Sequence, residues 1–217
     1  MISITTGAVI RLVLLSLPAL LLGRAGSQWI SRRYRRDPSI LSHPEQTDQR
    51  CILRRFPGCT FLAAGALTII RHPELPPSSL ILLLLFVFFL LLFTMTDWEQ
   101  QVIFDRMLLP FAVIGLLHTV LAGLPAADHL LAALAGGGLF LLLAILTRGG
   151  IGGGDIKLIA ALGLWAGTEG LTAIAVSGLI LGGLAALVLL ITGRKKRSDY
   201  FPYGPGFTIT AMFLAWL

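Results

Sequence analysis

The stretch LILLLLFVFFLLLFTMTD, residues 80–97, carries no charge until its last position, Asp97. A run of about twenty apolar residues reads as a helix that crosses the ~30 Å hydrocarbon core of a bilayer, and this one comes close to that length. The rest of the chain has the same character. Apolar residues make up 56% of its 217 and charged residues only 13%, where soluble domains carry about 25% charged. The expected fold class is an all-α polytopic membrane protein.

Apolar segments fall at about 7–30, 56–70, 80–96, 107–123, 128–147, 156–168, 171–192 and 205–217. They predict about eight transmembrane helices, of which 56–70, 156–168 and the last are short enough to need tilting or breaking. Three regions follow: a first transmembrane helix over 1–30, a short basic cytoplasmic loop over 31–55, and a transmembrane helical domain over 56–217. The loop, SRRYRRDPSILSHPEQTDQRCILRR, is too short to bury a core of its own. Arg11 inside the first apolar run, with no clear small-residue cleavage site after it, argues against a cleavable signal peptide.

The formal charge of +6 is distributed as topology rather than as a nucleic-acid surface, so membrane lipid is an expected partner and nucleic acid is not. Arg32, Arg33, Arg35, Arg36, Arg50, Arg54, Arg55, Arg148, Lys157, Arg194, Lys195, Lys196 and Arg197 all fall on one side of an eight-crossing chain, against Arg71 on the other. The positive-inside rule makes that side cytoplasmic and puts both termini outside. Asp97 and Asp155 then share the cytoplasmic side, 58 residues apart in sequence.

Acids at the mouth of a helical bundle are costly unless hydrated, paired or functional. Two carboxylates held within a few ångströms do not readily both ionise, and such a pair activates water while protonating a substrate carbonyl. The bland reading of Asp97 is a marker of the water boundary. Asp155 is harder to read that way, because Gly149, Gly150, Gly152, Gly153 and Gly154 precede it and glycine admits close backbone approach at an entropic cost. The stretch does not fit a phosphate loop: Walker A requires a Gly-Lys-Ser/Thr ending, and Asp155 would set like charge against phosphate. Lys157, at i+2, does not face Asp155 on a regular helix and is free to meet lipid, a neighbouring helix or substrate. No HExxH pair or GxSxG elbow occurs, and His43, His72, His118 and His129 have no ligand-like spacing. Cys51 and Cys59 form no recognised metal pattern, so no metal or other cofactor is expected. Gly163/Gly167 and Gly178/Gly182 read as small-residue helix packing, as do the glycines at 136–138.

TDWEQQVIFDRMLLP at 96–110 and GGGDIKLIAALGLWAG at 152–167 together resemble the two signature segments of the bacterial type IV prepilin peptidase family. YFPYGPGFTITAMF at 200–213 resembles that family's approach to its last helix, through Pro202, Tyr203, Gly204 and Pro205. The resemblance covers about residues 52–217. It implies an aspartic endopeptidase of the bacterial inner membrane with its active site facing the cytoplasm. Asp97 and Asp155 would be the catalytic acids, with Gly152, Gly153, Gly154, Lys157, Asp105 and Arg106 shaping or positioning the substrate loop. The implied substrates are prepilins or pseudopilins with hydrophobic N-terminal stems, whose basic leader is cut off after a glycine, in type IV pilus assembly or protein secretion. Two departures stand out. The CxxC pairs associated with metal binding and methylation are absent, so the chain reads as a short form and methyltransferase activity is not carried over. Phe104 also stands where a proline is usual. A non-catalytic assembly factor for pilin-like proteins and a small proton-coupled transporter are the alternatives. The transporter would call for an internal inverted repeat, and no convincing one is seen.

Overall fold

A computed structural model describes residues 6–193 and 203–217, and every regular element among them is helical. The block Arg194, Lys195, Lys196 and Arg197, and with it Pro202, lies outside the described residues. The chain divides into two compact units, Met1–Val102 with Met212–Leu217, and Ile103–Ala211.

The first unit contains α1 (Thr6–Arg36), the short α2 (Ile52–Arg55), α3 (Pro57–Arg71) and α4 (Pro77–Gln100). α3 and α4 both begin on proline, whose missing N–H costs nothing in the first turn of a helix. α1 packs against α3 through glycines: a Cβ on Gly23 would lie 2.6 Å from Pro57 O, and one on Gly58 or Gly65 would collide with Leu20 or Leu15. Helices in lipid associate through such close approach, since apolar surface gains nothing by leaving lipid tails. Within this unit, the end of α8 is tied to the end of α3. The Trp216 indole N–H donates to Thr68 Oγ1 at 2.9 Å, and Arg71 donates to the Trp216 carbonyl.

The second unit contains α5 (Asp105–Leu121), α6 (Ala126–Leu146), α7 (Gly153–Ile191) and most of α8 (Gly204–Trp216). α7 is 39 residues long and breaks at Gly167, where φ 67° and ψ −174° leave the helical region. The break is satisfied from outside. On one side, Leu164 O accepts from Thr119 Oγ1 and from His129 Nδ1, each at 2.9 Å. On the other, Asp128 Oδ2 accepts the Thr168 N–H at 3.0 Å, and its Oδ1 accepts the Thr168 hydroxyl. A side chain at Gly167 would face both a left-handed φ and the Asp128 carboxylate. Gly167 therefore forms the kink of α7 and is not only the packing residue expected. Gly163 does pack as expected, its Cβ position 2.6 Å from Ala133 N. Gly178 and Gly182 face Phe207 and Tyr203, and of the glycines at 136–138 only Gly138 meets nothing.

The chain is an all-α polytopic membrane protein. Among the described residues four helices, not eight, are long and apolar enough to cross a membrane: Val9–Arg36, Pro77–Gln100, Ala126–Leu146 and Gly153–Ile191. α3, α5 and α8 have 15, 17 and 13 residues, short of the roughly 20 a straight crossing needs. The two segments expected at 156–168 and 171–192 are halves of the broken α7. α1 also runs on to Arg36, past the boundary expected at residue 30. The 31–55 region holds 3-10 turns at Pro38–Ile40 and Pro44–Gln46 before α2.

Candidate active site

Asp97 sits one turn from the end of α4 and is 5% exposed. Every residue from Leu90 to Asp97 is buried, so this part of the helix is enclosed on all faces. The helix closes through Gln101, left-handed at φ 51°, whose N–H donates to Asp97 O at 2.9 Å. What holds this end in place is Glu99, two residues on. Glu99 Oε2 pairs with Arg54 Nη1 and accepts the Tyr34 hydroxyl at 3.1 Å, while Oε1 accepts the Cys51 N–H at 2.8 Å. Arg54 and Glu99 side chains are 0% and 3% exposed. Arg54 also donates from Nε to Ser27 Oγ and from Nη2 to Ser27 O, each at 3.3 Å, and to Ser31 Oγ. Its guanidinium lies 5.2 Å from the Tyr34 ring centroid. Gln100 ties the same end to the preceding loop, accepting the Ser42 N–H on its carbonyl and the His43 N–H on Oε1.

The distribution of basic residues assigns Arg54 to topology, and residue spacing alone does not single out Glu99 or Gln100. The available signal was an acid at i+2 from Asp97, next to a helix end, with an arginine in the one long polar segment. Cys51 and Cys59 are both free thiols. Burial first, and then the neighbouring Glu99 charge, pushes the Cys51 thiol up to about 11.

Asp155 belongs to the second unit, at the third position of α7, and is 8% exposed. An acid in a first turn complements the helix dipole, which is the ordinary structural role for such a residue. Two observations exceed that role: the residue is buried, and Oδ1 has no hydrogen-bond partner among the described residues. A buried, unsatisfied polar atom costs about 1–3 kcal/mol. The approach to it is built from a sharp helix end. α6 closes with Gly149 N–H on Ala144 O at 2.8 Å and Arg148 N–H on Ile145 O at 3.1 Å, with Arg148 left-handed at φ 51°. This is a Schellman-type C-cap, and Gly149 follows at φ 90°.

The other expected site residues divide. Gly152 is the N-cap of α7, and its Cβ position lies 3.4 Å from Asp155 Oδ2, so the carboxylate folds back over its own cap. Gly154 is needed for packing, with Ile103 Cβ 3.1 Å from where its own Cβ would be. Gly153 is exposed and nothing lies within 4 Å of its Cβ position. Lys157 Nζ meets both oxygens of Asp105, at 2.8 and 2.9 Å, pairing the starts of α7 and α5. Its partner is thus a neighbouring helix. Arg106 is exposed next to Asp105.

An all-α membrane protein with buried acids at two helix ends and a glycine-built approach to one of them defines a class of intramembrane site, and the chain matches one family of that class. The type IV leader peptidase family profile matches residues 83–191, and the chain belongs to that family. Similar proteins include three named prepilin leader peptidase/N-methyltransferase. That of Aeromonas salmonicida is 29% identical over 163 residues, covering 72% of this chain and 56% of the relative. That of Neisseria gonorrhoeae is 35% identical over 127 residues, covering 56% and 43%. That of Bacillus subtilis is 33% identical over 153 residues, covering 68% and 57%. The chain spans about half the length of the curated relatives it matches. No solved structure matches.

Proposed function

We propose that this chain is an intramembrane aspartic endopeptidase that removes the basic leader from type IV prepilins or pseudopilins, cutting after a glycine at the cytoplasmic face of the inner membrane. The observation that carries the reading is Asp155: buried, with a partnerless oxygen, behind a glycine loop, inside the segment that matches the family. Asp97, also buried and within that segment, is the second acid. In the proposed chemistry one carboxyl protonates the scissile carbonyl oxygen while the other, ionised, takes a proton from water. That water attacks the carbonyl carbon. Collapse of the tetrahedral intermediate breaks the C–N bond, and the leaving amine takes up a proton.

Exposed Gly152 and Gly153 favour an extended peptide beside Asp155, because a helical substrate hides its amides in its own hydrogen bonds. The Lys157–Asp105 pair and Arg106 act on loop position, not on bond cleavage. The proposed topology keeps eight crossings, with the short helices tilted, α7 counted as two halves and both termini outside. Its support is the one-sided distribution of basic residues in the sequence.

The test is leader cleavage of prepilin-like proteins from the same genome in proteoliposomes, read as intact product mass. Wild type is expected to cut after glycine, and Asp97→Asn and Asp155→Asn to cut nothing while keeping full helix content. Turnover by either folded variant would remove that aspartate from the catalytic pair. The product is expected without an added methyl mass.

A further inference from the structure

α1 leaves its apolar stretch at Gly23; between Arg11 and Arg24 it carries no charge. From Arg24 onward, Gln28, Arg32 and Arg35 recur at helical spacing on one face, and with Arg50 they line a groove of about 360 Å³. All belong to the first unit. We propose that this groove is a binding site for a phosphate group, presented by the headgroup of an anionic phospholipid.

The argument rests on which arginines are already partnered. Arg11 donates to Pro73 O and Leu75 O, Arg33 pairs with Asp37, Arg54 with Glu99, and Arg71 with Trp216 O. Arg24, Arg32, Arg35 and Arg50 make no ion pair or hydrogen bond among the described residues, yet they converge on one concave surface. Among the described residues no carboxylate lines it. The positive-inside bias asks only for basic residues somewhere in a loop; it does not ask four of them to share a groove.

Guanidinium groups gathered without a counter-ion repel one another, and a phosphate relieves that repulsion while taking bidentate hydrogen bonds from the planar fork. The floor is fixed in advance. Ser27 and Ser31 line the groove and accept hydrogen bonds from the buried Arg54, so the helix face that presents the arginines is held against α2. Arg24 stands where the apolar stretch ends, at the level where lipid headgroups begin, and Arg35 lies about 16 Å further along the helix axis. A basic peptide would be repelled here, so the groove is not a place for a cationic leader.

The experiment uses the full chain in phosphatidylcholine nanodiscs doped with phosphatidylglycerol, with retained lipid counted by native mass spectrometry. Wild type is expected to retain phosphatidylglycerol over phosphatidylcholine. R24Q/R32Q/R35Q is expected to lose that preference, by roughly fivefold per arginine removed. R36Q/R55Q removes two charges outside the groove and is expected to keep it. If the triple variant fails to fold, R24Q and R32Q singly each carry the expected fivefold loss. Displacement of the lipid by inorganic phosphate at comparable concentration would give the site to free phosphate and overturn the headgroup assignment; persistence of the lipid supports it. Equal retention of both lipids by wild type, or equal loss in the control pair variant, would overturn the site altogether.

Discussion

Glu99→Gln tests the feature on which the Asp97 end of α4 most depends. The substitution preserves shape and leaves a carbonyl oxygen for the Cys51 N–H, but removes the charge that faces the buried guanidinium of Arg54. Arg54 keeps its bonds to Ser27 and Ser31, but its Nη1 loses both counter-ion and acceptor, as the Tyr34 hydroxyl loses its acceptor, because the glutamine NH2 stands where Oε2 stood. With both side chains almost wholly out of water, solvent screening offers little relief. Breaking one partner of such a pair costs about 3–5 kcal/mol, while substituting both by apolar residues is often close to neutral. For a chain of this size that predicts a fall in melting temperature of roughly 6–20 °C for E99Q or R54M. The assay is thermal unfolding in detergent followed by helix content, with SDS titration for the free energies. R54M/E99M closes a double-mutant cycle, and the double variant is expected to lose much less than the sum of the singles. Singles within about 0.5 kcal/mol of wild type, or simple additivity, would show that the pair is not the buried clamp described here.

Three further outcomes follow from the same geometry. At pH 8, iodoacetamide is expected to modify the exposed Cys59 and spare Cys51, whose thiol is pushed up to about 11 by burial and then by Glu99; equal rates would contradict this. Because that acid is held neutral in the fold, the stability linked to it is complete below pH 9 and lost as pH rises through about 11, readable as a falling melting temperature. Gly167→Ala places a Cβ at φ 67° and against Asp128, so a loss of about 1–3 kcal/mol is expected, where an ordinary packing glycine with room to spare would lose little. Lys157→Ala breaks an exposed pair and is expected to change stability by less than about 1 kcal/mol, so a large drop in melting temperature would mean the pair is better shielded than its exposure says.

Apolar runs made the helices legible: each of the eight segments read from the sequence falls on a helix or on one half of α7. Crossing number was less legible, because run length alone does not say whether 15 or 17 apolar residues span, tilt or stop short. The kink at Gly167 leaves little mark in the local sequence, since what sustains it comes from α5 and α6: Thr119, Asp128 and His129. His129 had no ligand-like spacing because its partner is a freed backbone carbonyl, which leaves no trace in residue type. Arg54 was hidden for a similar reason. Its partner lies 45 residues away on another helix, and an arginine in a basic loop looks the same whether it faces water or a buried glutamate.

The two acids illustrate opposite ways of holding a carboxylate at a helix end. On the first unit, the turn after Asp97 is bound through the Gln101 N–H, the Glu99 carboxylate, the Gln100 backbone carbonyl and Gln100 Oε1. Helix ends fray because their last carbonyls lack partners; here Ser42 supplies one to the Gln100 carbonyl, while His43, Cys51 and Arg54 hold the Gln100 and Glu99 side chains of the same turn. A segment too short for a core of its own thus acts as a polar cap on α4. On the second unit, Asp155 is approached by exposed glycines, an exposed ion pair and one tight contact with Ile103. The exposed backbone of Gly152 and Gly153 is the kind of segment in which local opening costs least, although Asp155 itself is buried. The helix end at Asp97 is thus held by side chains from a separate loop, whereas Asp155 stands behind exposed glycine backbone.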